Sequence, residues 1–103
     1  MKAIVCGHVP LHPDATQLFK IAVNSQEILE TIWSFSNVCV GYFCGHHHMG
    51  GHCVDKNNIL HITFPAILEA PLKSCSHSLV KVYKDRIEVD LVTDKIQTFE
   101  RKF

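Results

Sequence analysis

Four histidines lie within the twelve-residue stretch YFCGHHHMGGHC, Tyr42 to Cys53. Imidazole nitrogens bind transition metals and transfer protons, so a histidine cluster can be a metal site, a proton-transfer device or a solvated loop. The tripeptide Cys-Gly-His occurs twice, as Cys6-Gly7-His8 and as Cys44-Gly45-His46. Each copy follows an apolar run. The elements that carry these two tripeptides therefore decide which histidines can act together.

The apolar runs predict a strand–helix–strand unit followed by a further strand and a β-hairpin. Ala3–Cys6 and Val38–Cys44 lack alternation and are typical of buried strands. Between them, Asn24–Phe35 shows the apolar spacing of a helix, and Asn24 with Glu27 matches a capping box. Ile59–Phe64 predicts another strand, Leu79–Leu91 alternates as a hairpin does, and the charged tail from Val92 is expected to fray. The fold class is therefore α/β.

The long connection between the first two strands allows them to be parallel, since parallel strands need a crossover of a dozen residues or more. Parallel strands end at the same sheet edge, where open α/β sheets place their sites. His8 and His46 should meet there. In an extended loop, His46 and His48 face the same side and His47 the other. In a dinuclear site the two metal ions are about 3.5–4 Å apart, and each of these two histidines can reach one of the ions. The spacing therefore favours a dinuclear site over a single tetrahedral zinc.

Composition excludes several classes of protein. The chain has 103 residues and no net charge, so it shows no basic field for nucleic acid or an anionic membrane. No apolar run approaches the roughly 20 residues of a membrane span, and the N-terminus lacks a signal-peptide pattern, so we expect a cytoplasmic protein of at most one domain. The five cysteines include no CxxC pair. Buried reduced thiols are expected at Cys6, Cys39 and Cys44.

The two histidine segments carry a resemblance to a known family. VCGHVP followed by CGHHHMGG resembles the last two motifs of the calcineurin-like metallophosphoesterases, a lone histidine after a strand and then Gly-His-x-His. Within that family, the segments GHVPLHP, IWSFSNVCVGYFCGHHHMGGHC, HITFPAILEAP and VKVYKDRIEV resemble the C-terminal part of the manganese-dependent ADP-ribose/CDP-alcohol diphosphatases. The resemblance covers roughly residues 3–91.

This resemblance implies a fold, a site and a reaction. Residues 1–103 would form the C-terminal portion of a metallophosphoesterase domain, half of its α/β/β/α sandwich. His8 and His46 would ligate one divalent cation and His48 a second one. Mn²⁺ is the first choice, with Mg²⁺, Fe or Zn²⁺ as alternatives. The cations would activate a water that attacks the diphosphate of ADP-ribose, a CDP-alcohol or another nucleoside diphosphate-linked small molecule.

The sequence also departs from the family pattern. It contains no Asp-x-His, Gly-Asp or Asn-His, the motifs that supply the carboxylate ligands and the catalytic histidine. Three neutral imidazoles cannot offset the charge of two dications. We therefore expect a C-terminal fragment, a truncated gene model or a shortened isoform that is inactive by itself and has no catalytic residue of its own. It should have an open apolar sheet face, with the N-terminal half as a candidate partner. The alternative is a small non-catalytic metal-binding or interaction module.

Other residues receive plainer interpretations. His47 is expected to face solvent or to act as a second-shell donor. A lone zinc site of His46, His48 and His52 is a minor alternative. Cys53 is expected in a loop. The large aromatic residues of the predicted helix and second strand are expected to pack in the core. They are Trp33, Phe35, Tyr42 and Phe43.

Overall fold

The chain begins with the parallel strand–helix–strand unit that the sequence predicts. The computed structural model describes residues 1–69 and 76–103. Strand β1 (Ala3–Cys6) leads to helix α1 (Ser25–Ser34) and then to strand β2 (Cys39–Cys44). β1 and β2 pair in parallel, which confirms the prediction. All six residues of β2 are buried, as suits a strand that is covered on both faces.

Two further strands complete a four-stranded sheet in the order β1-β2-β4-β3. β4 (Leu60–Thr63) was predicted, and it pairs in parallel with β2. β3 (Gly51–Val54) was not predicted, and it pairs antiparallel with β4. Its residues alternate between half-buried and exposed. The expectation of a loop at this position was wrong because glycine and histidine mask the alternation of a short edge strand.

The core of this unit lies between helix α1 and the sheet. Leu29 and Ile32 are the buried apolar residues of the helix. They belong to one apolar cluster with residues of β2 and of the loops that precede α1 and β4. The other members of this cluster are Leu11, Cys39, Tyr42, Cys44 and Ile59. Trp33 and Ile28 pack against this cluster. The predicted core roles of Tyr42, Phe43 and Trp33 agree with their burial.

Three local expectations were wrong. The Asn24 side chain makes no capping hydrogen bond, so the capping box does not form. Phe35 is 58% exposed because it follows the last residue of α1 and leaves the apolar helix face. Cys6 is exposed because β1 is an edge strand, whereas Cys39 and Cys44 are buried as predicted.

A buried carboxylate ties the helix to the β3–β4 connection. The Asp55 carboxylate accepts a hydrogen bond from Trp33 Nε1 at 2.7 Å and lies 2.9 Å from His61 Nε2. The backbone N–H groups of Asn57 and Ile59 also donate to it, each at 2.9 Å. Burial alone would raise the pKa of Asp55, but the hydrogen bonds from Ile59, His61 and Trp33 together lower it. Burial lowers the pKa of His61 and outweighs the opposing effect of Asp55.

The chain divides into two compact units, Met1–Ala66 and Ile67–Phe103. The second unit contains a three-stranded antiparallel sheet of β5 (His77–Val82), β6 (Arg86–Val92) and β7 (Ile96–Lys102). β5 and β6 form the predicted hairpin.

The expectation of a frayed tail was wrong, because β7 pairs with β6 along its whole length. Polar partners accompany this pairing. Thr98 Oγ1 donates to the Asp90 carboxylate at 2.7 Å, and Glu100 lies 3.6 Å from Arg86 Nε. A charged segment can therefore form an edge strand when its side chains find partners across the sheet.

Apolar side chains remain exposed in both units. In β1, Val5 is exposed, and in β5 the exposed residues are Leu79, Val80 and Val82. The expectation of an open apolar sheet face left by a missing half of the fold stays a prediction. None of the helices among the described residues has the length and apolar character required to cross a bilayer.

The pKa values of the buried pair predict a loss of stability in acid. Because the folded-state pKa of His61 is lowered, the unfolded chain binds a proton at this residue first, and the free energy of unfolding falls as the pH drops below about 6.5. Asp55 also has a lowered folded-state pKa. It adds a further loss once the pH drops below the ordinary aspartate value of about 3.9.

We expect His61→Gln to flatten this dependence, since glutamine keeps an N–H donor toward Asp55 but does not titrate. Between about pH 6.5 and 5 its slope should be shallower than that of the wild type by up to about 1.4 kcal/mol per pH unit. Urea denaturation at several pH values measures this difference. His52→Gln at an exposed position of β3 is the matched control, and parallel curves for wild type and His61→Gln would contradict the prediction.

Candidate metal centre

Two Gly-His turns leave the sheet side by side. Cys6 ends β1 and Cys44 ends β2, and the parallel register pairs Cys6 with Phe43. Backbone hydrogen bonds continue past the strand ends. Gly7 N–H donates to the Phe43 carbonyl at 3.0 Å, and Gly45 N–H donates to the His8 carbonyl at 3.0 Å. The two turns are therefore joined directly through the backbone.

The three histidines predicted as ligands meet at this edge. The ring centroids of His8 and His46 are 5.3 Å apart, with the rings inclined at 76°. His48 lines the same cavity of about 340 Å³ as these two rings. All three residues are exposed. The structure thus brings together the residues that the sequence selected.

The loop reaches this arrangement through turns, not through the extended conformation that was expected. His46 has a φ of 66°, in the left-handed region that few residues other than glycine adopt. His47 N–H donates to the Gly45 carbonyl at 2.8 Å, and Gly50 N–H donates to the His47 carbonyl at 2.9 Å. Such unusual backbone geometry is found preferentially at functional sites. His46 and His48 still share one side, although for a different reason.

His47 does not face solvent, which corrects one of its two interpretations. It is only 8% exposed, and its buried Nδ1 has no hydrogen-bond partner among the residues that the structure describes. It does not line the cavity. The interpretation as a second-shell donor stays a prediction.

Part of the cavity wall comes from residues that the sequence did not single out as site residues. Phe64, Pro65 and Ala66 follow β4 and line the same cavity as the three histidines. Ala66 N–H donates to the His48 carbonyl at 2.9 Å. The only sequence signal for this wall is that β4 is a third strand ending at the same edge. Ala70 and Pro71, the end of the segment HITFPAILEAP, lie outside the described residues.

A one-ion cluster of three ligands is not assembled in the described part of the chain. Within residues 1–69 and 76–103, no group of three or more histidine, cysteine, aspartate or glutamate side chains could hold a metal ion together. The alternative zinc site of His46, His48 and His52 is therefore not formed, and His52 lies on β3, opposite Ile62 of β4. His8, His46 and His48 are likewise not a single-ion set.

Cys53 lies on β3 and not in a loop, which corrects its predicted position. Burial raises the pKa of its thiol to about 12, and the charges of Asp14 and Asp55 act in the same direction. The thiol is therefore protonated near neutral pH and is a poor nucleophile or metal ligand.

Glycine allows the close approach that holds the connection before α1 against β3. A Cβ at Gly51 would lie 2.3 Å from the Ala15 carbonyl oxygen, whereas a Cβ at Gly45 would meet no atom of residues 1–69 and 76–103 within 4 Å. Ala15 is anchored from a second side, because Thr63 Oγ1 donates to the same carbonyl at 2.7 Å. The connection that carries His8 is thus held by backbone contacts that a side chain at Gly51 would displace.

Comparison with known proteins gives relatives of one kind. No protein-family model matches the chain. The manganese-dependent ADP-ribose/CDP-alcohol diphosphatase of Xenopus laevis is 37% identical over 86 residues, which are 84% of this chain and 24% of that protein. The proteins of the same name from Homo sapiens and Arabidopsis thaliana are 30% and 32% identical over 98% and 94% of this chain. The chain spans about a quarter to a third of the length of these relatives.

A solved structure has the same fold. The crystal structure of a dimetal phosphatase from Danio rerio matches with a TM-score of 0.91 and 24% identity, over 99% of this chain and 32% of that chain. The predicted α/β fold class is confirmed. The predicted resemblance to manganese-dependent ADP-ribose/CDP-alcohol diphosphatases is confirmed by the relatives.

We expect Gly51→Ala to destabilise the first unit, because its Cβ must displace backbone atoms of Ala15. The expected loss is about 1–3 kcal/mol, the usual cost of inserting an atom into a packed site. Gly45→Ala is the matched control and should stay within about 0.5 kcal/mol of the wild type. Urea denaturation measures both, and equal losses in the two variants would contradict the packing described here.

Proposed function

We propose that this chain supplies the histidine ligands of a dinuclear metal site in a phosphohydrolase. The substrate would be a nucleoside diphosphate-linked small molecule such as ADP-ribose or a CDP-alcohol. One observation carries the proposal. Three imidazoles at a shared sheet edge line one cavity, in a segment whose relatives are manganese-dependent diphosphatases.

The three rings are assigned to two cations. His8 and His46 would ligate one cation, which is supported by the 5.3 Å between their ring centroids. His48 would ligate the second cation from the same cavity. Neutral imidazole is a common ligand of divalent metals. When bound, two divalent cations, Mn²⁺ foremost, would lower the pKa of a bound water and stabilise negative charge on the phosphoryl oxygens.

Other residues of this chain would shape the cavity around the cations and the substrate. The left-handed turn at His46 would help to place its side chain at the cavity, which Phe64, Pro65 and Ala66 also line. The cavity of about 340 Å³ is at the lower end of ligand-site volumes. It suits a phosphate group better than a whole dinucleotide-sized substrate, so we assign the phosphate end of the substrate to it.

Charge limits what these residues can do without help. Three neutral imidazoles leave the positive charge of two dications uncompensated, and no carboxylate is among the described residues that line the cavity. The sequence also lacks Asp-x-His, Gly-Asp and Asn-His. We therefore propose that the 103-residue polypeptide alone is inactive, and that the carboxylates belong to a segment such as the one the longer relatives have in addition.

The expected result is no manganese-dependent hydrolysis of ADP-ribose by residues 1–103 above a His46→Ala control, because the carboxylates are missing. Mixing the chain with the separately expressed N-terminal three quarters of the Xenopus laevis relative should restore hydrolysis. His46→Ala should abolish this restored activity. His52→Ala is the matched control at an exposed position outside the cavity, and it should leave the activity unchanged.

Two outcomes contradict the proposal. Turnover by the isolated wild-type chain above the His46→Ala variant would overturn its inactivity. One tightly bound zinc per chain, with no activity in the mixture, would instead favour the small metal-binding module.

A further inference from the structure

The hydroxyl of Tyr42 lies beneath the turn that carries His8. Tyr42 is in the middle of β2 and is 6% exposed. Its Oη donates a hydrogen bond to the Val9 carbonyl at 2.8 Å. Val9 directly follows His8 in the chain. The Tyr42 side chain thus reaches the backbone next to His8, a predicted metal ligand in the turn that follows β1.

The same hydroxyl also lies close to Gly7, the residue before His8. A Cβ at Gly7 would lie 2.1 Å from Tyr42 Oη, so only glycine leaves room for the phenol. Backbone bonds hold the same turn, through Gly7 N–H to the Phe43 carbonyl and Gly45 N–H to the His8 carbonyl. The backbone is therefore fixed at three consecutive residues, 7, 8 and 9, and the Tyr42 hydroxyl supplies the contact at Val9.

The ring and the hydroxyl of Tyr42 have separable roles. The ring belongs to the apolar cluster that includes Leu11 and Ile59, and phenylalanine would keep that packing. The hydroxyl alone donates to Val9. Burial raises the pKa of Tyr42, so the phenol stays protonated and remains a donor at neutral pH.

We propose that Tyr42 is a positioning residue for the metal site: its hydroxyl holds the backbone of residues 7–9 so that the His8 ring shares a cation with His46. This inference rests on the proposed function, because it takes His8, His46 and His48 as ligands. It adds a residue of the central strand that has no contact with the metal and is invisible in the Gly-His motifs.

Paramagnetic NMR on residues 1–103 tests the inference without requiring activity. Histidine is isotope-labelled, Mn²⁺ is added at substoichiometric amounts, and line broadening is measured at each imidazole. In the wild type, the rings of His8, His46 and His48 should broaden. In Tyr42→Phe, broadening at His8 should fall by about threefold or more, the change in population that loss of one buried hydrogen bond brings, while His48 stays as in the wild type.

The control is Tyr83→Phe in β5–β6, whose hydroxyl donates to Glu88 at 3.3 Å far along the sequence from the cavity. It should leave all three rings unchanged. Gly7→Ala is a second test that keeps the tyrosine, since the added Cβ must displace the hydroxyl. It should give the same selective loss at His8. A general loss of folding would instead lower the broadening of all three rings together.

The possible results distinguish the positioning role of Tyr42 from the proposed metal site on which it rests. Unchanged broadening at His8, or equal loss at His8 and His48, in both Tyr42→Phe and Gly7→Ala overturns the positioning role and leaves the metal site standing. If none of the three wild-type rings broadens, either alone or in the mixture with the N-terminal three quarters of the Xenopus laevis relative that would supply carboxylates, the proposed function itself fails, and the role of Tyr42 fails with it.

Discussion

The parallel pairing of β1 with β2 is the constraint on which the candidate site depends. Parallel strands end at one edge, so the residues that follow Cys6 and Cys44 emerge together. The bond from Gly45 N–H to the His8 carbonyl extends this pairing beyond the strands. A slip of one residue would turn every side chain of a strand to the opposite face and separate the two turns. The geometry of His8 and His46 is therefore a consequence of strand register.

Histidines of opposite character occur within the same sheet. His61 is 1% exposed and donates toward the buried Asp55 carboxylate, whereas His8, His46 and His48 lie open at the edge. Burial favours the neutral form of His61 and fixes its ring as part of the scaffold. Position in the sheet, and not residue type, separates structural histidines from candidate ligands.

The sequence predicts most of the scaffold because its signals are local. The buried strands, the helix and the hairpin follow from apolar runs and periodicity, and the meeting of His8 with His46 follows from parallel strands sharing an edge. β3 and β7 were missed because their polar residues gain partners only across the sheet, as Thr98 does with Asp90. No local signal could show that Asp55 binds Trp33 and His61, since that contact joins distant parts of the chain.

For the site residues too, local sequence signals identify some features and contacts between distant segments determine the others. The Gly-His-x-His spacing identifies His46 and His48 but not how the loop presents them. The actual conformation depends on a left-handed residue at His46 and on contacts with the segment after β4. Phe64 and Tyr42 could not be assigned to the site from the sequence, because Phe64 follows β4 and Tyr42 lies inside β2, away from the Gly-His motifs. Tertiary context therefore supplies both the wall of the cavity and the support beneath it.

The chemistry of the donor set argues that the cavity is part of a larger site. Imidazole nitrogens favour Zn²⁺, Cu²⁺, Ni²⁺ or Fe, whereas Mn²⁺ prefers carboxylate, carbonyl and water oxygens and stands lowest in the usual order of affinities. The relatives are manganese-dependent by name, and oxygen ligands would account for that choice. His8, His46 and His48 contribute only nitrogen. In such a site the three histidines would set where the cations sit, while the selection of manganese would depend on carboxylates that complete the site from elsewhere.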